Sequence, residues 1–376
     1  MTLPAPQAVQ ALGQSLWYDH IERKLLDSGA LARLIAEQGV TGLTSNPSLF
    51  EKAITGSHDY DTALAEADRR LPQADAQALF YELAIEDLRA AADLFAAVHT
   101  ASDGREGWVS LEISPELAND TVATIDAAEA LFHHVDRPNL LIKVPGTSAA
   151  LRAIETLIDR GINVNITLLF AVERYQAVAD AYLLGLEARL RRGRPLDTVH
   201  SVASFFVSRV DTLIDTLLQA LIAQADPEQG RRAQALLGRT AIANAKLAYA
   251  HYQALVGSPR FQALAEAGAR PQRLLWASTG TKNPAYSDLL YVEPLIGRDT
   301  INTLPPATLS AFNDHGRVAP TLESGLDAAR QQLAELGELG IDLDAATRQL
   351  EADGIQAFAD AYHRLLRAIE AKRRGQ

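Results

Sequence analysis

The 376-residue chain contains no cysteine. Disulfides, thiolate zinc sites, iron–sulfur clusters and cysteine nucleophiles are therefore excluded. A basic excess is missing as well. Lys and Arg number 35 against 47 Asp and Glu, a formal charge of −12, whereas nucleic-acid binders carry a basic domain or stripe. The short basic runs at 191–194 and 372–374 sit at expected helix ends and read as solvated caps that complement the helix dipole. No stretch reaches the ~18 uncharged apolar residues of a membrane span. Residues 1–10 show no basic segment followed by an apolar run, so no signal peptide is visible. A cytoplasmic setting without nucleic-acid or membrane partners is expected. No glycine-rich nucleotide motif and no Gly-Lys-Ser/Thr phosphate loop occurs. His133 and His134 lack metal-ligand spacing and read as surface residues, so no metal is expected.

What is present is globular in proportion: 48% hydrophobic and 22% charged residues. A chain this long buries a substantial core without covalent staples. Strand-like runs occur at 15–20, 42–46, 109–114, 139–144, 163–168, 199–207, 273–279 and 300–304. Several are near-continuous apolar runs, as expected for parallel strands covered by helices. Helical patterns lie between them. Thr147 or Ser148 suits the start of a helix with apolar positions Leu151, Ile154, Leu157 and Ile158, and Gly161 supplies its stop. The spans 170–191 and 207–225 read as further amphipathic helices.

Eight strand–helix units imply an α/β fold whose parallel sheet closes into a (β/α)8 TIM barrel with additional helices. Such a barrel needs about 250 residues. The surplus falls in helical insertions at about 49–107 and 208–271 and in a helical tail from about 307. With no Ser/Gly-rich linker, one domain over 1–376 is expected. The last helix, about 354–372, gathers Ile355, Phe358, Tyr362, Leu365, Leu366 and Ile369 on one face. Docking on the barrel wall is expected, with a position near the barrel mouth as the alternative.

Polarity interrupts the apolar strands at informative places. Asp19 follows Leu-Trp-Tyr, Asn46 ends Gly-Leu-Thr-Ser-Asn, Glu112 sits in Val-Ser-Leu-Glu-Ile, Lys143 in Leu-Ile-Lys-Val-Pro, and Asn165 and Thr167 in Val-Asn-Ile-Thr-Leu. Each lies towards the C-terminal end of its strand, where this barrel builds active sites. A closed barrel has no exposed edge on which to place a strand lysine. Alternation puts Ser110, Glu112 and Ser114 on one face, and Asn163, Asn165 and Thr167 on another. If both faces point inwards, a polar pocket opens around Lys143. His20 should point away from Asp19.

One lysine, two carboxylates, amides and hydroxyls suit Schiff-base chemistry. Burial favours the neutral, nucleophilic amine, while Asp19 and Glu112 favour its charged form; a proton shared with Glu112 is one resolution. The amine attacks a sugar carbonyl. One carboxylate assists loss of water, and the other acts as base on a hydroxyl during carbon–carbon cleavage.

These segments closely resemble the transaldolase family, from Ser15 to about Pro306 and more weakly beyond. The residues that carry the resemblance are Ser15-Leu-Trp-Tyr-Asp19, Gly42-Leu-Thr-Ser-Asn46-Pro-Ser, Leu111-Glu112-Ile-Ser-Pro, Leu141-Ile-Lys143-Val-Pro-Gly-Thr147 and Asn163-Val-Asn165-Ile-Thr167-Leu. The resemblance implies Lys143 as the Schiff-base lysine and Asp19 as acid/base in carbon–carbon cleavage. It implies Glu112 and Thr167 as holders of the catalytic water. Asn46, Asn165 and Ser204 would orient the dihydroxyacetone unit, and Arg209 would face the substrate phosphate. Where many members place an arginine soon after Ala-Ser, this chain has Ala277-Ser278-Thr-Gly-Thr-Lys282. Ser278 and Lys282 are thus the candidate remainder of the phosphate site, with a point charge in place of a fork. This departure resembles a longer subgroup, including the transaldolase part of fusions with phosphoglucose isomerase.

The implied reaction moves dihydroxyacetone from sedoheptulose 7-phosphate to glyceraldehyde 3-phosphate without a metal or organic cofactor. An aldolase with the same lysine chemistry, or a non-catalytic sugar-phosphate-binding barrel, are the alternatives. Nothing in the sequence indicates an oligomeric state.

Overall fold

A computed structural model describes residues 5–224 and 226–374. The start of segment 1–10 and the last residue of the expected helix 207–225 lie outside the described residues.

Eight strands form a closed, all-parallel barrel in sequence order. They are β1 (Ser15–Tyr18), β2 (Gly42–Leu43), β3 (Trp108–Glu112), β4 (Leu140–Pro145), β5 (Val164–Leu169), β6 (Ser201–Phe206), β7 (Arg273–Ala277) and β8 (Thr300–Leu304). β8 closes on β1 in the register Ser15↔Ile301 to Tyr18↔Leu304. All eight expected runs are strands, but most end sooner than the sequence pattern suggests. Their last polar residues leave the ladder to start helices. Asn46 accepts from Leu49 N at 3.0 Å and caps the helix Pro47–Gly56, and Ser114 caps the short 3₁₀ turn Pro115–Leu117.

At the opposite end of the barrel the interior is closed by charge. The buried Arg273 guanidinium donates to Ser15 Oγ and to Thr300 O, and meets Glu106 at 3.1 Å. One layer above, the Trp17 indole lies on Gly42, where a Cβ would come within 2.6 Å of the ring. Glycine is therefore required for β2 to approach β1 here.

The 49–107 stretch folds mainly as the helices Pro47–Gly56, Asp61–Arg70 and Ala76–Ala101. The 208–271 stretch folds as Ser208–Gln224, Pro227–Leu236, Thr240–Val256 and Pro259–Glu266, and the tail as Pro306–His315, Leu326–Glu338 and Leu343–Arg374. The helix Ala150–Arg160 begins where Ala150 N donates to Thr147 Oγ1 at 3.2 Å and stops at Gly161, with φ of 90°.

The final helix differs from expectation in length and place. It starts at Leu343 and lies across the C-terminal mouth of the barrel, against Pro47–Gly56, Ala76–Ala101 and the end of β5. The reason is a pre-built apolar seat. Phe50, Phe80 and Tyr362 stack edge to face, with centroids 5.4 and 5.9 Å apart. Gly354 permits the close crossing, since a Cβ there would stand 3.0 Å from Leu168. Leu168 itself has φ of 60° beside a register shift between β5 and β6. The basic run at the end of this helix also departs from a solvated cap. Lys372 bonds Ser57 O and Asp61, and Arg373 bonds Ala74 O and Pro72 O. In the other basic run, Arg192 and Arg194 both bind Asp159.

Candidate active site

Strand register puts the decisive residues in one row. Glu112 on β3, Lys143 on β4 and Asn165 on β5 are successive cross-strand partners. Side chains in register share a face, and here that face is the barrel interior. Lys143 and Glu112 are only 5% and 4% exposed. Lys143 Nζ lies 3.3 Å from Glu112 Oε2 and donates to Ser45 O at 3.2 Å. The Phe358 ring, from the final helix, stands 5.9 Å from the same nitrogen. Burial pushes the Glu112 carboxyl above the usual range, and the neighbouring Lys143 opposes this.

Asp19 follows β1 at the floor of the cleft. Loss of solvent raises its carboxyl, while Lys143 and a hydrogen bond from Thr44 pull it back. Thr44 Oγ1 donates to Asp19 Oδ1 at 2.7 Å and lies 2.7 Å from Thr303 Oγ1. Thr44 has one proton, so Thr303 donates to it in turn. This chain of hydroxyls orients the Asp19 carboxylate.

The amides are already partly engaged. Asn165 Nδ2 donates to Ser110 Oγ at 3.1 Å, and Ser204 Oγ donates to Asn165 Oδ1 at 2.6 Å. Asn46 uses its oxygen as a helix cap, which leaves its amide N–H groups for a ligand. Thr167 is wholly buried, and its Oγ1 has no hydrogen-bond partner among the described residues; Glu112 Oε1 has none either, and Oε2 meets only Lys143. Buried polar atoms are normally satisfied, so these atoms keep capacity for a water or a substrate group.

Asp19, Asn46, Lys143, Ser204, Arg209, Ser278 and Lys282 all line one cleft of about 470 Å³. Glu112, Asn165 and Thr167 sit behind the Lys143 wall rather than on its surface. The Arg209 guanidinium is 5.4 Å from the Phe206 ring and 5.8 Å from Phe358, and makes no ion pair among the described residues. Ser278 holds a left-handed φ of 55° and places its Oγ 3.0 Å from Ser208 Oγ. Lys282 is exposed at the rim. The cleft thus joins an enclosed amine and two carboxylates to a cationic rim.

Sequence reasoning missed several participants. His20 lines the cleft, against the expectation that it points away; β1 ends at Tyr18, so strand alternation no longer governs it. Thr44, Ser45 and Thr303 were hidden as ordinary loop and strand hydroxyls, although Thr44 and Ser45 lie inside the quoted Gly42–Asn46 segment. Phe358 was visible as an apolar helix residue, but not as part of a site. No cluster of three or more His, Asp or Glu suited to a metal exists among the described residues. No described helix is long and apolar enough to cross a membrane.

Residues 16–369 match a family model described as transaldolase/fructose-6-phosphate aldolase. The chain belongs to this transaldolase/fructose-6-phosphate aldolase family. It is similar to a transaldolase of Thiobacillus denitrificans, 50% identical over 361 residues that cover 96% of this chain and 98% of the relative. A transaldolase of Thermobifida fusca is 46% identical, with 96% of each chain covered. A relative from Nostoc named transaldolase 2 is 42% identical over 97% of this chain and 96% of its own length. The transaldolase family match spans the barrel and most of the helix that carries Phe358.

Proposed function

We propose that this chain is a transaldolase. It moves a dihydroxyacetone unit from sedoheptulose 7-phosphate to glyceraldehyde 3-phosphate and yields erythrose 4-phosphate and fructose 6-phosphate. The observation that carries the reading is the Lys143 amine, enclosed beside a carboxylate at the foot of a cleft with a cationic rim.

In this reading the Lys143 amine attacks C2 of the ketose, a carbon–nitrogen bond forms, and one proton of the nitrogen passes to the C2 oxygen to give a hydroxyl. Glu112, kept readily protonated by its burial, gives the proton with which the C2 oxygen leaves as water. Glu112 through Oε1 and Thr167 through its unpartnered hydroxyl hold that water and return it in the final hydrolysis. Asp19 takes the proton of the C4 hydroxyl as the C3–C4 bond breaks. The bond's electron pair passes to the iminium nitrogen, which makes an enamine, and the aldehyde departs. The enamine then attacks the acceptor aldehyde, and Asp19 returns its proton to the new hydroxyl. The iminium nitrogen serves as electron sink, so the reaction requires no cofactor.

Asn46, Asn165 and Ser204 orient the three-carbon unit by hydrogen bonds. Arg209 and Lys282, with Ser278, receive the phosphate; Arg209 supplies a planar fork pre-set between two rings.

Borohydride reduction with fructose 6-phosphate tests the reading. A three-carbon adduct on Lys143 is expected, and turnover should depend on added erythrose 4-phosphate. Equal turnover without the acceptor would make the protein an aldolase. Absence of any adduct would leave only sugar-phosphate binding.

A further inference from the structure

Lys282 stands on a loop that leaves β7 at Ser278 and makes no ion pair among the described residues. A lone exposed lysine costs considerable rotamer and loop entropy to fix, so what holds its loop matters. Inside the loop, Thr281 Oγ1 donates to Ser287 O at 2.8 Å and Ala285 N donates to Asn283 Oδ1 at 2.9 Å. These bonds shape the loop but do not attach it to the barrel.

Thr279 Oγ1 ties the start of the loop to Thr303 O at 3.1 Å, and Asp288 meets His315 at 3.0 Å. The links from the loop to the helix Ser208–Gln224 are made by two tyrosines and two aspartates. Tyr286 Oη donates to Asp215 Oδ2 at 2.7 Å, and Gly238 N donates to Asp215 Oδ1 at 2.9 Å. The Tyr286 ring lies directly on Gly238, where φ is 68° and a Cβ would come within 2.9 Å of the ring. Further along, Tyr291 Oη donates to Asp211 Oδ2 at 3.0 Å, and Ala241 N donates to Asp211 Oδ1 at 2.7 Å. Asp211 and Asp215 are one turn apart on the helix Ser208–Gln224. The first turn of that helix carries Arg209, and Ser208 N donates to Ser278 O at 3.1 Å. One rigid helix therefore carries one rim cation and grips the loop that carries the other.

We infer that Tyr286 and Asp215, seconded by Tyr291 and Asp211, are positioning residues that set the distance between Lys282 and Arg209 and so tune the site for a phosphorylated sugar. This rests on the reading of Lys282 as a phosphate contact. Tyr286 and Asp215 touch no substrate; they act through the loop.

The test compares Tyr286→Phe, Asp215→Asn, Lys282→Ala and the double variant Tyr286→Phe/Lys282→Ala. Tyr286→Phe keeps the ring on Gly238 and removes only the hydroxyl. It is expected to raise KM for fructose 6-phosphate and the inhibition constant of inorganic phosphate by about threefold to tenfold, the scale of one hydrogen bond. kcat should fall less than about twofold on the same scale. Borohydride capture of free dihydroxyacetone, which has no phosphate, should keep its rate. Asp215→Asn should act in the same direction. The double variant should be no worse than Lys282→Ala alone, the non-additivity expected of coupled sites. Unchanged KM and phosphate inhibition in both Tyr286→Phe and Asp215→Asn would overturn the inference. So would an additive double variant, or an equal loss of dihydroxyacetone capture, which marks a general structural role. If Lys282→Ala itself changes neither quantity, the phosphate reading of Lys282 has failed and the positioning role falls with it.

Discussion

Lys143 Nζ lies 3.3 Å from Glu112 Oε2, with both side chains removed from solvent. Breaking a buried pair by removing one partner ordinarily costs about 3–5 kcal/mol because the other charge is stranded. Glu112 has a way out, since burial already raises its carboxyl. Lys143→Ala is therefore expected to abolish turnover and borohydride capture yet retain the barrel. The remaining carboxyl has a folded-state pKa above its unfolded one, so its contribution is present at low pH and lost as pH rises through the folded value. The melting temperature should thus lie close to the parent's near pH 5 and drop progressively below it towards pH 8. A variant that melts far below the parent at both pH values would contradict this.

Asp19 is expected to serve the carbon–carbon step alone. Asp19→Asn should still be captured with dihydroxyacetone on Lys143, while cleavage of fructose 6-phosphate falls by about 10²–10⁴. Single-turnover measurements separate the two; equal loss of both would give Asp19 a role in imine formation.

Glu112→Gln should show the converse pattern. The amide cannot supply the proton for loss of water, so capture of dihydroxyacetone should slow by about 10² or more. Capture at the parental rate would remove Glu112 from the imine step.

Much of this arrangement was legible in the chain. Near-continuous apolar runs separated by helical patterns gave the closed parallel barrel, because strands covered by helices need no polar face. Strand alternation brought Glu112 and Asn165 to the face of Lys143, a consequence of a two-residue period that a closed barrel enforces. Where strands end, that rule lapses: His20, one residue beyond Asp19, turns into the cleft. Helix position was illegible for another reason. The apolar stripe of Phe358, Tyr362 and Leu365 states that the helix docks, but the seat is made by Phe50 and Phe80 on distant helices. The hydroxyl chain from Thr303 through Thr44 to Asp19 joins three loops or strands whose register only the fold supplies.

Asp211 offers a stability test outside the cleft. Burial pushes its carboxyl up to about 7, against hydrogen bonds from Ala241 and Tyr291. The folded value exceeds the ordinary one, so the folded chain binds the proton more tightly. Its stabilising contribution is complete below about pH 4 and is lost as pH rises through about 7. Asp211→Asn should remove that slope, and the melting temperature of the variant relative to the parent should rise between pH 5 and pH 8. A constant difference across this range would refute the assignment.

Gly42→Ala should destabilise by about 1–3 kcal/mol, the usual cost of overpacking, because the new methyl would enter the Trp17 indole. Denaturant titration followed by tryptophan fluorescence reports both the loss and its location.

The crossing of the final helix over the barrel mouth has a consequence for how the protein matures. Phe358 reaches Lys143 across a long stretch of chain, and long-range contacts of this kind slow folding. The aromatic wall that faces both the Lys143 amine and the Arg209 guanidinium is thus contributed by the last helix, so a chain cut before residue 358 would keep all eight strands and lose that wall.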